Sequence, residues 1–382
     1  MIVNSFLYIL AAQEGLHFLI QRLGFAGLIA GTLVAQTLSF TSQTIPAGNW
    51  PISVRLIDFN GDNKPDIAVI NGGGAGTVSV LLNQGGGNFA PPLVTLTGGM
   101  GAVSLTAGDY NHDGKPDLAV VNNLSNNVSI LLGNGDGTFR LTSYAGVHGG
   151  PVAVTEADFN RDGNPDLAVV NSLTGDVTIL LGKPDGTFRP GTSLYVGSSP
   201  TAIREGDFNG DGIPDLAVSN GALGQQAIYI FLGNGDGTFR SGATLQVGNE
   251  PFAMVARDFN HDGKTDLAVA NLASNDLSIL LGKGDGTFHP AVNYAAGTGP
   301  VSVRAGVFNH AGNVDLAACA DVSAAVLVFP GKGDGTFRTP ISFPTGGTCN
   351  SIAVGDVTGD GRTDIVAATT NGVVVMLNSS SN

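Results

Sequence analysis

One nine-residue phrase recurs along the chain at an almost constant step. It reads DFNGDNKPD from Asp58, DYNHDGKPD from Asp109, DFNRDGNPD from Asp158, DFNGDGIPD from Asp207, DFNHDGKTD from Asp258, VFNHAGNVD from Val307 and DVTGDGRTD from Asp356. The steps are 51, 49, 49, 51, 49 and 49 residues. Self-similarity at a fixed period of about 20–50 residues means that one supersecondary unit is stacked many times. So regular a step leaves no room for a second domain between copies. Whatever one unit folds into, the chain makes it seven times.

Each unit has the same internal order. A short β-branched run follows the phrase, as in DIAVI at Asp66, DLAVV at Asp117 and Asp166, and DLAVS at Asp215. After a variable polar stretch comes a second run: VSVLL at Val78, VSILL at Val128, VTILL at Val177 and IYIFL at Ile228. GNGDGTF or a close variant then punctuates the chain, and a weaker strand and a Gly-x-x-Pro linker lead to the next phrase. These are strands bounded by Gly/Asp/Asn turns, four per unit, with no helical periodicity. Four-stranded units repeated radially make an all-β, seven-bladed β-propeller. The last unit stops at SSSN without a fourth strand, whereas residues 38–54 (LSFTSQTIPAGNWPISV) look like a fourth strand and linker with nothing before them. The N-terminal strand is therefore expected to complete the last blade and so remove two exposed sheet edges.

This places one propeller domain over residues 37–382. Residues 1–36 are mostly apolar. The run GFAGLIAGTLVAQ (residues 24–36) follows Arg22 and resembles a signal-peptide core with cleavage near Ala35. A retained membrane anchor is the alternative, and only in that case is a membrane a partner. Export is the expectation, with a secreted, cell-surface or periplasmic location. The balance of 31 Asp plus Glu against 17 Lys plus Arg, a net charge of −14, excludes nucleic acid as a partner, since no basic cluster occurs. Of the 31 acids, 27 are Asp, which suggests selection for short reach and turn geometry.

The repeated phrase accounts for those acids. Numbered from its first residue, it carries oxygen side chains at positions 1, 3, 5 and 9. These are Asp58, Asn60, Asp62 and Asp66, then Asp109, Asn111, Asp113 and Asp117, then Asp158, Asn160, Asp162 and Asp166. The later copies are Asp207, Asn209, Asp211 and Asp215, then Asp258, Asn260, Asp262 and Asp266, then Asp356, Thr358, Asp360 and Asp364. Alternating oxygens in a tight loop, a Gly at position 6 and a closing carboxylate suit Ca²⁺, which takes about 6–8 oxygen ligands, some from backbone carbonyls or water. Asn63 stands at position 6 of the first loop, where a left-handed residue is needed. Without metal, each pair of carboxylates a few ångströms apart repels by about a kcal/mol or more. Six divalent ions would offset twelve of the fourteen excess negative charges. In the copy from Val307, Val307 and Ala311 replace two acids and leave Asn309 and Asp315, so that loop is expected to bind nothing or only weakly. Thr358 makes the last loop the weakest of the six.

Other signals have simpler accounts. GNGDGTF looks like a phosphate loop but joins two strands with no following helix, so a hairpin turn with a buried Phe is expected. His112, His261 and His310 share loop position 4 in separate blades, which rules out a common metal site. Just before the loops, on the innermost strands, lie Arg55, Glu156, Arg204, Glu205, Arg257 and Arg304. These belong near the central channel, either as ion pairs and solvated walls or as a ligand site. Cys319 and Cys349 fall on the same face of neighbouring blades, which leaves open one disulfide or two buried thiols.

The unit DFNGDGxPDLAV…GDGTF resembles the FG-GAP/VCBS repeat, the propeller unit of integrin α-subunit heads and of many bacterial secreted proteins. The resemblance runs over residues 38–378 and implies calcium held by the Asp and Asn residues named above. Within that family integrin heads bind a partner subunit and ligands, and some fungal lectins of similar repeat bind sugars, so the fold does not settle function. The expectation is a monomeric, calcium-binding, non-catalytic module that recognises a protein or glycan through its variable loops, such as residues 71–77 and 220–226. A polysaccharide lyase or hydrolase built on the channel is the rival, and a structural module of a larger surface assembly is a third reading.

Overall fold

The computed structural model describes residues 38–221, 224, 226–309 and 311–380. The N-terminal segment expected to be a signal or anchor lies outside them. Among the described residues no helix is long and apolar enough to cross a membrane. The repeats occupy one compact unit, Thr37–Asn382.

Each repeat forms one four-stranded antiparallel sheet, and there are seven. In blade one the order from the inside outwards is Pro51–Ile57, Asp66–Asn71, Ala75–Leu81 and Leu93–Met100. The second strand of every blade is buried at all six positions, as in Asp117–Asn122 and Asp166–Asn171. This explains why DLAVV reads as a continuous apolar run rather than an alternation: neighbouring blades cover both faces of the sheet. The core is accordingly split into seven clusters, each shared by two adjacent blades. Between blades one and two, for example, Ile70 and Val80 meet Leu105 and Val120.

Aromatic pairs tie each blade to the next. The residue at loop position 2 packs against the Phe of the following blade's GDGTF turn, with ring centroids 5.4 Å apart in Phe59–Phe139, 5.5 Å in Tyr110–Phe188 and 5.4 Å in Phe159–Phe239. These are edge-on contacts, worth roughly 0.5–1.5 kcal/mol beyond the area they bury. The turns themselves are ordinary hairpin turns in which Asp136 accepts from the Thr138 backbone N–H at 3.0 Å.

The ring closes as the sequence predicts. The strand Phe40–Ile45 pairs antiparallel with Gly372–Asn378, Phe40 facing Asn378 and Ile45 facing Val373. Blade seven has no GDGTF turn, and Phe40 supplies the missing ring, lying 6.2 Å from Phe308. Of the two alternatives for the cysteines, the structure has the bonded one. Cys319 and Cys349 form a disulfide with Cα atoms 5.8 Å apart, fully buried between blades six and seven.

Candidate metal loops and the central cavity

The seven acidic loops all lie between the first and second strands of their blades. In the loop from Asp207, the first carboxylate gathers the turn. Its Oδ1 accepts from Gly210 N at 2.7 Å and Asp211 N at 3.2 Å, and its Oδ2 from Gly212 N at 2.9 Å. Asn209 Oδ1 accepts from Asp211 N at 2.9 Å, and Asp211 Oδ1 from Ile213 N at 2.8 Å. Such a turn needs left-handed backbone at positions 4 and 6, here Gly210 at φ +77° and Gly212 at +74°. Asn63 takes that conformation in the first loop, at +62°, as expected.

Position 4 is left-handed even where it is not Gly. His112, Arg161 and His261 adopt it at +58°, +58° and +61°. Two of these side chains reach the loop of the next blade: His112 Nε2 lies 2.9 Å from Asn164 Oδ1, and Arg161 Nη2 donates to the Gly212 carbonyl at 2.9 Å. His310 lies outside the described residues.

The closing Asp at position 9 has a second task. Asp215 is fully buried, its Oδ2 accepts from Phe208 N at 3.0 Å and its Oδ1 from Gly233 N at 2.8 Å. It thereby pins the loop and the start of the hairpin turn to one strand end. The same bonds recur at Asp66, Asp117, Asp166 and Asp266. A carboxylate offers about four acceptor positions, so two remain at each. Burial, reinforced by the two other acids of the same loop, pushes Asp166 and Asp266 up to about 6, against the pull of the backbone N–H groups. Asp66, Asp117, Asp215 and Asp364 are raised for the same reasons. A buried acid whose nearest charged neighbours are two more acids is chemistry that suits a divalent cation.

Among the described residues no three His, Cys, Asp or Glu side chains converge closely enough to hold a metal by themselves. The donor set argued from the sequence includes Asn side chains and a backbone carbonyl as well. Four of the six intact loops carry a cation at position 7 beside the position-5 acid: Lys64–Asp62 at 3.0 Å, Lys115–Asp113 at 3.7 Å, Lys264–Asp262 at 3.4 Å and Arg362–Asp360 at 2.7 Å. All four are partly exposed and weak. In the last loop the Thr358 hydroxyl is itself turned onto Asp356, at 3.1 Å.

The sixth loop is built differently. Asn309 Nδ2 donates to both oxygens of Asp315, at 3.0 and 2.8 Å. The amide caps the buried carboxylate that the intact loops leave facing their own acids. Asp315 still accepts from Phe308 N at 2.9 Å and Gly331 N at 2.7 Å, so the structural task of position 9 survives the loss of its fellow acids.

The six channel candidates divide into two groups. Arg55, Arg204 and Arg304 line one central cavity of about 620 Å³, to which the innermost strands of all seven blades contribute. Glu156 and Glu205 are not part of its lining. Glu156 accepts from the buried Tyr110 hydroxyl at 3.0 Å and is pushed up to about 7 by burial, with Glu205 adding to the shift. Glu205 accepts from the Thr155 hydroxyl of the preceding blade. Arg257 is exposed at its strand end. Among the described residues none of the six is in an ion pair.

In sequence, FG-GAP-like repeats match over residues 58–120, 112–169, 158–218, 207–269, 258–318 and 308–367, and the chain belongs to that family. No curated protein matches it in sequence. Among solved structures it is similar to BBS1N in complex with ARL6DN, with a TM-score of 0.60 and 14% identity over 89% of this chain and 95% of that one. It is also similar to Saccharomyces cerevisiae Sqt1, with a TM-score of 0.56 and 11% identity over 91% and 99%. A third is the Pseudomonas aeruginosa periplasmic gluconolactonase PpgL, with a TM-score of 0.51 and 17% identity over 65% and 71%. At these identities the likeness is one of fold.

Proposed function

We propose that this FG-GAP propeller is a calcium-stapled recognition module, exported from the cytoplasm, that binds a protein or glycan and does no chemistry on it. The observation that carries the reading is the contrast between the loops. Where two acids are missing, an amide covers the buried Asp315; where all are present, the position-9 acid keeps free acceptor positions beside two more carboxylates. In each intact loop the side chains at positions 1, 3, 5 and 9 and the position-7 carbonyl would hold Ca²⁺. The bound ion would supply charge neutralisation that locks the loop onto its strand.

Recognition is assigned to the face opposite these loops, where the turns between second and third strands and the linkers lie. Leu124, Leu173, Val322 and Trp50 stand exposed there, at 69%, 82%, 71% and 70%. Exposed apolar side chains gathered on one face mark a contact surface. A structure of BBS1N, similar in fold, was solved in complex with ARL6DN, which agrees with a protein-binding use. The enzymatic reading has one observation in its favour, the convergence of three arginines on the cavity. Against it, Asp321 is the only residue of the described lining other than the arginines with an ionisable side chain, and no His, Lys, Tyr or Glu stands there to share proton transfer with it.

The test is array binding of the full chain to glycans and to secreted or cell-surface proteins, in calcium and in chelator. Specific calcium-dependent binding that Leu173→Asp abolishes supports the proposal. Turnover of a polysaccharide by the same preparation would replace it with the enzymatic reading.

A further inference from the structure

Seven innermost strands surround the cavity, and the position three residues before each acidic loop is equivalent in all of them. Around the ring it is occupied by Arg55, Thr106, Thr155, Arg204, Val255, Arg304 and Ala353. Only blades one, four and six carry a charge there. The intervals are three, two and two blades, which is as even a spacing of three groups as a seven-membered ring allows. Each arginine faces an alanine on the second strand, Ala68, Ala217 and Ala317, so the facing strand of its own blade offers no polar side chain to hold the guanidinium.

What does hold it is modest. Each guanidinium donates to the carbonyl of the preceding residue: Arg55 to Val54 at 3.0 Å, Arg204 to Ile203 at 2.6 Å and Arg304 to Val303 at 2.8 Å. A guanidinium has five N–H donors, so most have no partner among the described residues. No carboxylate lies within ion-pair distance of any of the three among the described residues. Burial pulls Arg55 down to about 10, with Arg204 adding to the shift and Glu205 opposing it. Arg304 is lowered by burial and by both other arginines. Glu205 offsets part of this cost at Arg55 and Arg204. The lining carboxylate Asp321 pairs with none of the three, so three like charges in a partly desolvated cavity still favour a bound anion.

We propose that Arg55, Arg204 and Arg304 form a binding site for an oxyanion group, a carboxylate, sulfate or phosphate, carried on a small ligand that enters the central cavity. The cavity volume falls in the range of about 300–1,000 Å³ usual for small-molecule sites. Guanidinium groups bind such anions by charge-assisted, often bidentate, hydrogen bonds. Trp50 and Phe252 stand on the cavity lining and are 70% and 41% exposed, giving a ligand an apolar or aromatic surface beyond its charged end. The site is independent of the calcium loops.

The experiment is calorimetric titration of the full chain, in calcium and at low chloride, with sulfate in one arm and tricarballylate in the other. Binding of one equivalent is expected. R55Q, R204Q and R304Q should each weaken it by at least about tenfold, the loss of one charge-assisted hydrogen bond. R257Q, outside the cavity, should leave it unchanged. Preference for tricarballylate assigns the site to carboxylate ligands and preference for sulfate to sulfate or phosphate esters. No binding of either anion at millimolar concentration, or equal binding by R204Q, overturns the proposal. Thermal melts without anion guard against misfolding. The three variants should melt at or above the unaltered chain, because a like charge has gone; lower melting of all three would make the arginines structural and also overturn it.

Discussion

The fourth and sixth loops hold equivalent places in their blades and differ in how one buried carboxylate is satisfied. Asp215 and Asp315 are both fully buried, and each accepts the same two backbone N–H groups. Beyond that they part. Asp315 receives two further bonds from Asn309, whereas Asn209 turns its amide to Asp211 at 2.9 Å and leaves Asp215 beside Asp207 and Asp211. The sixth loop satisfies its buried carboxylate from within the protein; on the proposed reading the fourth does so with a cation. The lesson is that position 9 pins the strand end in all seven blades, and the proposed calcium sites would give it a second job in six of them.

The largest effect that separates the two kinds of loop is metal removal. A site at a hundredfold excess of calcium over its Kd contributes about 2.7 kcal/mol. Six of them make chelation the most destabilising single change, expected as a large fall in melting temperature with the sixth blade's own loop contributing nothing. Reduction of Cys319–Cys349 comes next. Between blades six and seven, where no calcium clamp is expected in the sixth loop, the disulfide should contribute about 2–4 kcal/mol, read as a lower urea midpoint in reductant. A chain whose midpoint ignored reductant would show that this seam needs no second fastening.

Substituting the two asparagines dissociates the jobs. N309L should cost about 1–3 kcal/mol in chelator by stripping two bonds from a buried carboxylate, and should leave calcium stoichiometry unchanged. N209L should cost little in chelator and weaken or remove one calcium equivalent. Equal behaviour of the two variants would erase the distinction between the loops.

The smallest effect is in pH. In the metal-free chain Asp166 and Asp266 titrate near 6, above the ordinary 3.8, so the folded state holds more protons than the unfolded state between those values. Their contribution is therefore full below about 3.8 and lost as pH rises through about 6. With calcium the slope should reverse, because protons compete with the ion. Melting temperatures between pH 5 and 7 that moved in the same direction in calcium and in chelator would argue against cation sites at these loops.

The architecture was legible because it is written in a period. Strands within one blade come from one unit, so DLAVV, VSILL and GDGTF could be placed on a sheet, and the unmatched segment of residues 38–54 revealed the closing strand. Contacts across blades are not periodic in that sense. Phe59 and Phe139 are 80 residues apart, and nothing local says that they meet. That blades one, four and six aim arginines at one cavity while Glu156 and Glu205 turn to neighbouring blades depends on ring closure. The structural role of position 9 did leave a trace: Asp315 persists in a loop that has lost its other acids. The left-handed position 4 was hidden because His and Arg stand there as often as Gly.

The measurement that tests the account most directly is a calcium titration of the metal-stripped full chain by calorimetry, with melts at each end. The account predicts about six sites, a large calcium-dependent rise in melting temperature, and one site fewer for D211A with no loss for N309L. No binding, or melting indifferent to calcium, would contradict it and leave the loops as turns that cap strands with their own carboxylates.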